Sequence, residues 1–149
     1  MNRRGFTLVE LMVTVTIIGI LANFAFPAMS GLRRRAEAAR IIADVATVRS
    51  AALDHYAGYG TYPPPGEWAA VPPTLAASLP GGFEFGFRDV EYRWERWLLP
   101  QGLPADPSQT VMAGLTVRSP DPALLATVRG LYKGKVTFGS SSQVTFVLD

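Results

Sequence analysis

RRGFTLVELMVTVTIIGILA, residues 3–22, is the stretch on which the reading of this chain turns. It opens a longer apolar run. From Phe6 to Met29 the only charge is Glu10, and Thr7, Thr14, Thr16 and Asn23 are the other polar side chains. As a helix rising about 1.5 Å per residue the run is roughly 36 Å long, enough to cross a hydrocarbon core of about 30 Å. Two arginines, Arg3 and Arg4, precede it, and three more, Arg33, Arg34 and Arg35, follow it.

Such a segment can be a cleaved secretory signal, a plain membrane anchor, or a short leader followed by a working helix. A secretory signal has a basic start, an apolar stretch of about 7–15 residues and a small-x-small cut site. Arg3 and Arg4 fit that description, and Ala28-Met29-Ser30 offers a cut. The run is nevertheless too long, and it contains a carboxylate. Burying a charge at the centre of a spanning helix costs about 2.5–3.5 kcal/mol on insertion scales, and somewhat less towards the end, where Glu10 lies. Neither a signal nor a plain anchor gains from that cost, so Glu10 calls for a function.

The rest of the composition is consistent with one small domain joined to this appendage. The chain has 149 residues, 48% of them apolar and 17% charged, with a net charge of +2. The apolar excess is concentrated at the N-terminus rather than spread through the chain. There is no cysteine, so neither disulfides nor thiolate metal sites are available. An exported domain of this composition must be held by packing alone.

The residues of the opening stretch resemble the N-terminus of type IV prepilins and type II secretion pseudopilins. The resemblance implies that a dedicated membrane peptidase, the prepilin peptidase, cuts between Gly5 and Phe6 and methylates the new amine of Phe6. Glu10 matches the family's acidic position, which in one subunit is thought to meet the terminal amine of a neighbour during assembly. Two charges that are each expensive in a low-dielectric slab become tolerable as a pair, and pairing selects register. The alternatives are a Glu10 that snorkels to the interface or pairs with its own Phe6 amine one turn back. Gly19 and Pro27 fall where many members carry a glycine and a helix-bending proline. Pro27 lacks a backbone donor, and Gly19 lowers helix propensity by about 1 kcal/mol relative to alanine. Helix kinking or local unwinding between them is what the resemblance implies. Gly5 suits the cut, because a residue without a side chain can lie extended in a protease cleft.

Charge alone leaves the orientation open, since arginines flank both ends of the run. The family implies a leader in the cytoplasm and a globular part outside a bacterial inner membrane. The expected divisions are a cleaved leader over 1–5, a transmembrane and filament-core half-helix over 6–29, an amphipathic half over 30–57, and a connector with a globular β-rich head over 58–149.

Past Ser30 the chain turns polar but keeps helical periodicity. Ile41, Ile42, Val45, Val48, Ala52, Leu53 and Tyr56 form the predicted buried face, and Gly58 with Gly60 marks the stop. Pro63, Pro64, Pro65, Pro72 and Pro73 in the following connector predict extended, irregular chain. Strand signals then recur at 83–87, 90–99, 110–118, 135–138 and 144–148, the last two flanking a Gly139-Ser-Ser-Ser142 hairpin turn. Between them, 120–131 reads as a short helix with Asp121 as N-cap and Pro122 in its first turn. The expected fold is α+β and pilin-like: a long helix whose second half packs on an antiparallel sheet of three to five strands. Tyr92, Trp94, Trp97, Phe83, Phe85 and Phe87 are expected to be core or filament interface before they are a ligand platform.

Signs of catalysis are absent from the sequence. There is one histidine, His55, with no Ser/His/Asp signature around it. Asp89 with Glu91, and Asp106 with Asp121, do not have calcium-loop spacing. No enzyme, cofactor or metal is expected. The missing cysteines exclude the C-terminal disulfide loop frequent in major pilins, which favours a minor pilin or pseudopilin. The partners implied are the prepilin peptidase, other pilin or pseudopilin subunits, and the membrane before assembly. A membrane-anchored binding module, such as a DNA-uptake minor pilin, is the alternative. Three arginines without interleaved aromatics are weak grounds for nucleic acid and fit a collar facing solvent or lipid headgroups better.

Overall fold

The computed structural model describes residues 6–102, 107–133 and 137–148, leaving aside the side chains of 24–28. A single helix of 52 residues, α1 (Leu8–Tyr59), opens the fold, about 78 Å long at the standard rise. Thr7 caps its start, its hydroxyl accepting the backbone N–H of Glu10 at 3.2 Å. Gly60 ends it in the left-handed conformation (φ 69°), donating its N–H to Tyr56 O at 2.8 Å. Only the second of the two glycines predicted to stop the helix does so, because only Gly60 takes the positive φ that a C-terminal cap requires.

The buried stripe of α1 is Ala38, Ile41, Val45, Val48, Ala51 and Ala52. This differs at its upper end from the predicted face. Leu53 and Tyr56 are 42% and 45% exposed: Leu53 lies at the flank of the stripe, one residue round from Ala52, whereas Tyr56 keeps the stripe's angular position but falls in the last turn of the helix. Tyr56 instead meets Tyr62 of the connector, ring centroids 4.8 Å apart.

Among the described residues five strands follow: β1 (Gly86–Phe87), β2 (Val90–Leu98), β3 (Val111–Arg118), β4 (Thr137–Gly139) and β5 (Gln143–Val147). They form one antiparallel sheet in the order β1-β2-β3-β5-β4. The helix α3 (Pro122–Leu131) connects β3 to β4, and a one-turn helix α2 (Pro73–Ala76) lies in the connector. Alternation along the strands turns Tyr92, Trp94, Leu115, Val117, Val144 and Phe146 inward, where they join the α1 stripe and Leu124, Leu125 and Val128 of α3 in one core. The Tyr92 hydroxyl donates to Asp44 Oδ2 of α1 at 2.7 Å. Burial, then the bond to Asp44 and its charge, push that phenol far above its ordinary value, against a small opposing pull from Arg40.

The connector departs from the sequence expectation. Pro73 opens α2 rather than forbidding it, because a helix's first turn has no use for the missing N–H. The connector also covers the edge of β2 that the two-residue β1 leaves bare. Gly66 N donates to Trp94 O at 3.0 Å and Ala69 N to Tyr92 O at 2.9 Å, so the connector pairs two of the strand's outward carbonyls and covers that part of its edge. Trp94 Nε1 in turn donates to Pro63 O at 3.0 Å. Of 83–87 only the last two residues pair as a strand, and of 135–138 only Thr137 and Phe138 fall within described strand.

The aromatic residues divide between the two faces of the sheet. Tyr92, Trp94 and Phe85 are core, with Phe83 and Phe87 packed against it. Trp97 lies on the other face over Gly114, where an added Cβ would sit 2.7 Å from Phe146 O and 3.0 Å from the indole. On that face Trp68 of the connector is stacked under both Arg93 and Arg118, at 4.5 and 4.3 Å, and Arg118 pairs with Glu91 directly across the ladder.

Candidate assembly segment and the collar above it

Among the described residues, nothing outside the helix covers the N-terminal part of α1. Phe6 is 76% exposed, and Leu8, Val9, Leu11, Met12, Val13, Val15, Ile17, Ile18, Ile20 and Leu21 are all exposed around the full turn of the helix. An apolar helix exposed on every side is a surface awaiting lipid or protein. Its polar side chains are largely satisfied locally. Thr14 Oγ1 donates to Glu10 O, and Thr16 Oγ1 to Met12 O at 2.8 Å, which lowers the cost of carrying hydroxyls into an apolar medium.

Glu10 lies in the first turn, where a carboxylate also opposes the positive end of the helix dipole. Thr7-x-x-Glu10 has the spacing of a capping box, and the hydroxyl half of it is formed. The Thr7-x-x-Glu10 spacing is the sequence signal for this local role, distinct from the pairing expected of Glu10. Gly5 lies outside the described residues. Gly19 is open to its surroundings, an added Cβ meeting nothing within 4 Å. Among the described residues no helix is long and apolar enough to cross a membrane; the expected span over 6–29 includes 24–28, whose side chains are outside the description.

Just above this segment the fold assembles a collar. Arg33 pairs with Glu37 one turn on at 3.0 Å, and Arg88, from the turn between β1 and β2, pairs with the same carboxylate. Arg34 reaches Asp121 at 3.4 Å, while Arg35 is exposed. The Arg33–Glu37 spacing is visible in sequence; the arrival of Arg88 and Asp121 is not. The paired groups Arg33, Arg34, Glu37, Arg88 and Asp121, though not Arg35, line an open groove of about 700 Å³ with Met29, Phe87 and Leu124. Among the described residues no group of three potential ligands could hold a metal ion; Asp106 is not among them.

Asp121 is the predicted N-cap of α3, its Oδ1 accepting from Ala123 N at 2.9 Å and Leu124 N at 3.2 Å. Desolvation pulls its carboxyl upward, but these two N–H groups and Arg34 outweigh that, leaving it below its ordinary value of 3.8. A depressed folded pKa means that the unfolded chain binds the proton more tightly. Its contribution is therefore present above about pH 4 and is lost as pH falls through the folded value. Asp121→Ala should cost about 1 kcal/mol at neutral pH through the lost cap. Asp121→Asn keeps the cap, and its smaller deficit should fade below pH 4. Urea midpoints at pH 7 and pH 2.5 measure both, and a deficit of Asp121→Asn that persists undiminished at pH 2.5 would refute the charge assignment.

Fold and segment together define a pilin-like α+β protein, a long N-terminal helix followed by a small antiparallel sheet. Residues 1–22 match the model of the prokaryotic N-terminal methylation motif. Over 55 residues the chain is 40% identical to type II secretion system core protein G of Klebsiella michiganensis, covering 37% of this chain and 38% of that protein. Over 61 residues it is 38% identical to type IV major pilin protein PilE of Neisseria gonorrhoeae, covering 41% and 36%. The protein G of Pectobacterium carotovorum is 39% identical over 55 residues, covering 37% and 35%. The chain thus matches little more than a third of the length of these relatives. No solved structure matches it.

Proposed function

We propose that this chain is a structural subunit, a minor pilin or pseudopilin, of a type IV pilus or a type II secretion pseudopilus. In this proposal 1–5 is a leader removed by prepilin peptidase, and the amine of Phe6 is methylated. Residues 6–29 anchor the subunit in the inner membrane, with the head outside, and later pack in the filament. Residues 30–57 are the amphipathic half that carries the head, which spans 58–149. Gly19 and Pro27 are where the helix yields on packing. Glu10 pairs with the amine of a neighbouring subunit, and the chain performs no catalysis of its own.

The observation that carries this reading is the methylation motif set on a helix whose apolar half is exposed all round. A helix of that kind is stable only when lipid or other subunits cover it, and similar N-termini occur in proteins named as pilins and protein G. Mass spectrometry of the mature N-terminus tests it. A chain beginning at methylated Phe6 is expected in cells that hold the peptidase; one that retains Met1 to Gly5 there, or begins near Gly31, would refute the proposal.

A further inference from the structure

We draw no further inference here: the strongest candidate, the exposed, uncharged stripe of Ala36, Ala39, Ala43 and Ala46 on the side of α1 turned away from the core, is a row of small residues, and nothing in the structure shows what covers it.

Discussion

Glu10→Ala is expected to leave cleavage after Gly5 intact while filament incorporation falls by about two orders of magnitude. The carboxylate is exposed in the first turn of α1 and forms no ion pair within its own chain among the described residues. Its local contribution is modest: the Thr7 cap uses the backbone N–H of residue 10, which alanine retains. The helix should therefore still form. On the proposed pairing, what is lost is the partner of a neighbour's cationic amine, and an uncompensated charge in a low-dielectric environment costs about 3–5 kcal/mol. Incorporation is read by shearing filaments and immunoblotting against the membrane fraction. Glu10→Gln keeps the size without the charge and should fail as alanine does. Normal incorporation of both variants would show that Glu10 acts only as a helix-start residue.

The second large effect is expected in the head. Trp94→Ala should destabilise it by about 3–5 kcal/mol, comparable with the whole stability of a small domain. Trp94 is fully buried, and its indole N–H donates to Pro63 O. Truncation opens a cavity beneath the sheet and orphans a carbonyl of the connector. Trp94→Phe keeps much of the packing, and its main loss should be the hydrogen bond, about 1 kcal/mol. Denaturant unfolding followed by far-UV circular dichroism separates the two variants. Equal, small losses would mean that the connector and sheet are held together elsewhere, most directly by Trp68 between Arg93 and Arg118.

Much of this protein was legible in one dimension because the controlling physics is local. The apolar run, its lone Glu10 and the Gly5-Phe6 junction are contiguous. The N-cap at Asp121 and the alternating strands need only neighbours in sequence, and periodicity placed Ile41, Val45 and Val48 in the core. Expectations failed where a distant element chose between locally equivalent options. Leu53 lies at the flank of the buried stripe, Tyr56 keeps its register but falls in the last turn, and Pro73 opens a one-turn helix whose Leu75 is buried in the core.

The amino-acid order by itself determined a processed-looking apolar helix and an α+β head, because periodicity, capping and turn chemistry act over a few residues. Only the tertiary structure decided that the proline-rich connector pairs with the edge of β2, that Trp68 stacks between Arg93 and Arg118, and that Arg88 joins Arg33 around Glu37. Those arrangements depend on which segments the fold brings together across separations of more than twenty residues, and charge and volume complementarity at that range leave no periodic trace in the chain.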